Sequence, residues 1–334
     1  MNPRVRRGLA AALTAAALAL LGACAQPEPP EVAADPPPEQ PLPVLTVDQQ
    51  NAVLAAVGDA MATADASADA DALAPRVAGP AAEMRGASYA LQSASDGELV
   101  PQPFTSEQQV TVVGATDEWP RAFMAVTVEP EGGTVPLILS LRQNGPRDPY
   151  VLLGWSRLLP GVQTPSVAAP TIGSAQLGGD AEGLVLTPIE TLEHFADLLW
   201  NPESAYADEF GSDPYRPLIQ DERDTLAQSV DEAGEVTMGA TAGLPLVAFQ
   251  TADGGAITMG SVESTVELTK TVEGSTLSVG GEIASALGAD EVEVASALTA
   301  TYLQSVTFYI PPAGSEDPVQ LIGAERVLMS VTQE

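Results

Sequence analysis

Twelve consecutive residues near the middle of this chain return near its end without a gap. Asp148-Pro149-Tyr150-Val151-Leu152-Leu153-Gly154-Trp155-Ser156-Arg157-Leu158-Leu159 aligns to Asp317-Pro318-Val319-Gln320-Leu321-Ile322-Gly323-Ala324-Glu325-Arg326-Val327-Leu328, with six identities. A match of this kind asks both places to supply the same local geometry. Asp-Pro leaves a turn, the apolar pair enters a strand, and the glycine marks a bulge or a close backbone approach. Arg157 and Arg326 are each expected to pair with an acid of their own half. Shorter echoes, Val110-Thr111 with Gly114-Ala115-Thr116 against Val236-Thr237 with Gly239-Ala240-Thr241, point the same way.

Each half also opens with one device. Thr46 stands three residues before Gln49, and Thr187 three before Glu190 with Pro188 between them, so both predict a capped helix start. Behind the first, Val53, Leu54, Val57, Ala60, Met61 and Ala64 recur at helical spacing. Leu192, Phe195, Ala196 and Leu199 do so behind the second. Second helices follow at Pro80–Gln92 and Pro217–Gln228, and then strand patterns. These are Gln109–Val113, Ala122–Glu129, Val135–Leu141 and Tyr150–Leu159 in the first half. In the second they are Leu244–Thr251, Ala256–Lys270, Leu277–Val279, Thr301–Ile310 and Val319–Val331. Asp253-Gly254-Gly255 reads as a hairpin turn. Helices first and antiparallel strands after predict an α+β fold. The reading is two tandem domains, 45–160 and 184–334, each with two helices on a curved antiparallel sheet. The Pro-, Gly- and Ser-rich stretch 161–183 is their linker.

The N-terminus carries an address. Arg4, Arg6 and Arg7 precede an apolar stretch from Gly8 to Leu21, an export pattern too short for a membrane span of ~20 residues. Leu21-Gly22-Ala23-Cys24 resembles the bacterial lipobox, which implies removal of residues 1–23 and a diacylglycerol on the Cys24 sulfur. The plainer alternative is an ordinary secretory signal with an incidental cysteine. Cys24 is the one cysteine, so no disulfide framework is expected. Residues 24–44 hold the lipidated cysteine and an acidic, proline-rich stalk, extended and disordered, reaching roughly 60 Å at ~3.1 Å per residue.

Loss of Arg4, Arg6 and Arg7 takes the formal charge from −32 to −35. Such a surface disfavours nucleic acid, whose phosphates need Lys and Arg to neutralise them. The partners expected are the membrane, through the lipid anchor, and an envelope protein.

From lipobox and stalk through the Leu45-Thr46-Val47-Asp48 helix start and Arg76-Val77-Ala78-Gly79-Pro80, the chain resembles a family of actinobacterial lipoproteins with two tandem cystatin-like (nuclear-transport-factor-like) domains. The resemblance runs from Cys24 nearly to Glu334. It implies a fold and a location at the extracytoplasmic face of the cell membrane, and it transfers no reaction.

The sequence leads to the expectation of no catalytic, cofactor-binding or metal site. His194, the one histidine, falls roughly opposite Leu192 on its helix, near Glu190 and Asp197. A solvated helix face explains it better than a proton-transfer dyad. HExxH and G-x-S-x-G are absent. Asp65, Asp69 and Asp71 lack the glycine and terminal glutamate of a calcium loop and mark a polar helix end. Asp290, Glu291 and Glu293 read as a solvated acidic turn. Trp119, Trp155 and Trp200 line either a pocket or a core. The site expected is therefore the lipidation site, Cys24, alone. The leading function is a non-catalytic binding or assembly role at the envelope. The alternatives are a solute-binding lipoprotein of a transporter, and a pocket-bearing cystatin-like enzyme or small-ligand carrier. An acid beside a tyrosine in a deep pocket would favour the last of these.

Overall fold

The computed structural model describes residues 41–201, 203–230 and 232–334. The expected signal peptide, Cys24 and the stalk as far as Gln40 lie outside the described residues. In the first half, helices α1 (Val47–Ser67) and α2 (Gly79–Ala94) precede strands β1 (Gln108–Ala115), β2 (Arg121–Thr127), β3 (Leu137–Gln143) and β4 (Val151–Leu158). After a short β5 (Ser174–Ala175) come α3 (Pro188–Trp200), α4 (Tyr215–Val230), β6 (Gly234–Gln250) and β7 (Ala256–Lys270). A small insertion, β8 (Ser278–Gly280), α5 (Gly281–Ala286) and β9 (Glu291–Glu293), precedes β10 (Ala297–Ile310) and β11 (Gln320–Gln333). The protein is α+β.

Both helix starts are built as the spacing predicts. Gln49 N donates to Thr46 Oγ1 while Thr46 N donates to Gln49 Oε1; Thr187 and Glu190 repeat the exchange. Two otherwise orphaned amides are satisfied at each start. Leu54, Val57, Met61 and Ala64 form the buried stripe of α1, and Leu192, Phe195, Ala196 and Leu199 that of α3. The folded part begins before the expected end of the stalk. Pro43 bridges Ala115, and Val44 N donates to Gly114 O at 2.8 Å.

Nine strands form one sheet in the order β5-β1-β2-β3-β4-β11-β10-β7-β6. Each half lays down four strands as an antiparallel meander, and the two last strands pair through Leu158↔Gly323 and Arg157↔Ala324. The registers match across the halves. Val112, Met124, Ser140 and Gly154 stand in line across β1–β4. Val247, Met259, Thr307 and Gly323 stand in line across β6, β7, β10 and β11. Next to each glycine one residue is left over as a bulge, Leu153 in β4 and Ile322 in β11, because the ladders resume at Leu141↔Leu152 and Phe308↔Leu321. The segment before each second helix makes a parallel bridge at the fourth strand, Val77 to Leu152 within β4 and Phe210 to Val319 immediately before β11. The shorter echo does not share this register. Val112 aligns with Val247, which leaves Val236 some nine residues up β6 from any partner of Val110.

The stretch expected as a linker closes the sheet. Ser174 and Ala175 pair in parallel with β1, Gln176 bridges Phe249 of β6, and Leu177 N donates to Ala248 O. The sheet is thereby rolled on itself. Val112, Ala122, Met124 and Ile138 from one half meet Val247, Phe249, Ile257, Met259 and Ile322 from the other inside it. Burial of each of these side chains larger than Ala122 stabilises by about 1.5–3 kcal/mol. The glycines make the approach possible. A Cβ on Gly154 would meet Leu246, Met259 and Ser305 of the second half, and one on Gly323 would meet Ile138, Ser156 and Arg157 of the first. On the outer faces, α1 and α2 cover the first half and α3 and α4 the second.

Candidate functional site

Strands β4 and β11 pair at two residues, and beyond Ala324 they part. Helix α2 of the first half then lies over β11, so that Leu303 and Val327 join the core beneath α1 and α2. A cleft of about 270 Å³ opens here, lined among others by Arg85, Gln102, Trp155, Glu325 and Arg326. Its charges are arranged in pairs. Arg85 is 4% exposed and donates through Nε and Nη2 to Asp65 at 2.8 and 2.6 Å, and through Nη1 to Gln102 O. Tyr89 Oη donates to the same carboxylate at 2.6 Å. Burial first, and then Asp65, push the Tyr89 phenol well above its ordinary range. Asp65 is thus a structural anchor between α1 and α2.

Glu325 stands where the first copy of the repeat has Ser156. Arg157 Nε lies 2.8 Å from its Oε2. The partner of Arg157 therefore comes from the other half, contrary to the expectation of a pair within one half. Burial pushes Glu325 up to about 7, against the opposing pull of Arg157 and Arg85.

A second cavity of about 480 Å³ adjoins the first at Glu282, which lines both. Tyr302 of β10 lines it together with Leu218 and Leu226 of α4, and Val279 and Ile283 of the insertion. Asp221, Glu222 and Glu282 supply its carboxylates. Arg326 stacks on Tyr302 with its guanidinium carbon 3.6 Å from the ring centroid and donates through Nη1 to Glu222 at 2.6 Å. Among the described residues its Nε and Nη2 are buried without a partner. Burial raises Tyr302 to about 12 and also raises Glu282. Alongside runs a buried chain from Tyr215 Oη to Gln304 Oε1 and from Gln304 Nε2 to Ser264 Oγ. It ties α4 to β10 and β7. This groove exists because strands of the second half run on past the pattern that the first half sets.

The other singled-out residues fall elsewhere. His194 is not on a solvated face. Its ring is half-buried, stacks on Tyr206 at 3.7 Å, and places Nδ1 2.6 Å from Glu209 Oε2. Asp197 bonds Asn201 instead, and Glu190 serves the helix cap, whose bonds from Thr187 hold its carboxyl below the usual range. Trp155 lines the cleft, Trp119 lines a different cavity, and Trp200 is buried in the core beneath α3. Glu291 accepts from Ser278 Oγ on the insertion. Among the described residues no three of His, Cys, Asp or Glu gather as a metal set, and no helix is long and apolar enough to cross a membrane. Sequence reasoning passed over Glu325 and Tyr302. The signal for Glu325 was available, since it replaces a neutral serine inside the repeat with a charge that a strand must bury.

No curated protein and no solved structure matches the chain. A family described as "Domain of unknown function (DUF8094)" matches residues 41–333. That match takes in both halves, the seam and the groove, and the chain belongs to this family.

Proposed function

We propose that this chain is an extracytoplasmic lipoprotein, anchored to the cell membrane through Cys24, with a non-catalytic binding role. In this reading its ligand is a small, largely apolar molecule held over Tyr302. We also read the halves as two tandem copies of one cystatin-like plan, on the strength of the matched registers and bulges. The observation that carries the binding role is the groove itself. Its apolar walls, an acid beside a tyrosine and about 480 Å³ fit the size and chemistry of a small-ligand site. Three carboxylates against one arginine favour a neutral or basic polar end on the ligand. A transporter-feeding receptor has less support, because its two parallel-sheet lobes differ from the antiparallel meanders of this sheet. An enzyme reading rests on Glu325, a buried carboxyl near neutrality at a cleft wall.

Native mass spectrometry of the full chain extracted from membranes tests the proposal. The mature chain is expected to begin at a diacylglyceryl Cys24 and to carry a small-molecule adduct that Ile283→Trp removes by filling the groove. A mature chain without diacylglycerol would overturn the anchor, and an adduct unchanged by Ile283→Trp would overturn the groove as the site.

A further inference from the structure

At the end of the rolled sheet where β5 meets β6 lies a cavity of about 320 Å³ that shares no lining residue with the seam groove. Trp119, Arg142, Gln176, Gly178, Gly179 and Leu246 line it, with exposed Glu118 the one acid on its wall. Arg85, Arg157, Arg216, Arg223 and Arg326 each have a carboxylate within 4.0 Å; among the described residues Arg76, Arg121, Arg142 and Arg147 have none, and of these four it is Arg142 that lines the cavity. Its Nε is buried without a partner, and its Nη1 reaches Leu246 O at a long 3.4 Å. Burial holds its pKa below the ordinary arginine value. On the neighbouring strand Arg121 stacks over Trp119 at 4.5 Å, likewise without a carboxylate among the described residues and with a buried, unpartnered Nε.

A half-desolvated guanidinium without a counter-charge is costly, and with 45 acids in the chain a partner was easily supplied. The walls around it are fixed. Gln176 accepts from Ala122 N and donates to Pro120 O, holding the rim that bears Trp119. A Cβ on Gly179 would collide with Ile189, so the backbone there is closely packed. We infer that this cavity binds a small molecule bearing an oxyanion, a carboxylate or a phosphate ester, which meets Arg142 while its flat body lies beside Trp119. A guanidinium matches both anions in geometry and charge.

Calorimetric titration of the purified full-length chain in detergent tests this with benzoate, phenyl phosphate and neutral benzamide. At least one anion is expected to bind, and the tighter of the two identifies the source of the oxyanion. Arg142→Gln should weaken it by about tenfold or more, the loss expected for a charged hydrogen bond. Substitution of the exposed Arg147 by Gln should leave it unchanged. If Arg142→Gln lowers the melting temperature sharply, Arg142→Lys, which keeps the charge, should retain measurable anion binding. The inference is overturned if neither anion binds below about 10 mM, if neutral benzamide binds as tightly as the tighter anion, or if a folded Arg142 variant without the charge binds as the parent does.

Discussion

The first half makes its meander from strands of 8, 7, 7 and 8 residues, and the second from strands of 17, 15, 14 and 14. The rows in matching register, Val112 to Gly154 and Val247 to Gly323, bring Val112, Met124, Val247 and Met259 to the shared interior. The extra length of the second half carries a separate apolar cluster, in which Val266, Leu268, Leu298, Ala300 and Tyr302 meet α4 and the β8–α5–β9 insertion. Packing inside the rolled sheet constrains both halves alike, because each fills the other's interior. The groove over Tyr302 lies in the longer part of the second half, outside that interior.

The largest effects should come from the shared interior. Met124→Ala and Met259→Ala remove side chains that are 1% and 0% exposed at matching positions. Each should cost about 2–5 kcal/mol in denaturant unfolding of the full chain. A cost confined to one of the pair would break the equivalence. Next come the glycines. Gly154→Ala and Gly323→Ala should each cost about 1–3 kcal/mol by overpacking, since each Cβ enters the opposite half.

The pH dependence separates the halves, because Glu325 has only Ser156 as its counterpart. The folded state holds the Glu325 proton more tightly than the unfolded chain does. Its contribution is therefore fully present below the ordinary carboxylate range and is lost as pH rises through about 7. Unfolding measured from pH 4 to 8 should show that loss, and Glu325→Gln should flatten it; an unchanged profile would place the proton elsewhere. The smallest effect belongs to His194→Ala, at about 1 kcal/mol or less in thermal unfolding. The Glu209 side chain it meets is 36% exposed and well screened. A loss of several kcal/mol would make the stack on Tyr206 a core contact.

Local chemistry was legible in the sequence where it was dense. Thr46 with Gln49 and Thr187 with Glu190 announced both helix starts, and the strand pattern at Ala256–Lys270 announced β7 with its bounds. Asp253-Gly254-Gly255 announced a turn that Gly254 makes at φ +87°. The start of β6 was not legible, because Gly234–Gly243 alternates weakly and stays half-exposed. β5 lay hidden among the prolines and glycines of a stretch that reads as linker, yet it closes the sheet. Of the candidate site, Arg157 and Arg326 were visible through the repeat. Glu325 stood out as the acid that replaces Ser156 in the repeat, but its pairing with Arg157 and that of Glu222 with Arg326 were not legible, since pairing across the seam and from α4 to β11 depends on how strands part after Ala324.

The claim that most needs testing is that two matched halves share one interior. Native-state hydrogen exchange of the full chain across a denaturant series reads it strand by strand. The expected result is a common opening free energy for the amides of β2 and β3 and those of β7 and β10, with β8, α5 and β9 opening at lower cost. Strands of one half losing protection while those of the other keep it would contradict a shared interior.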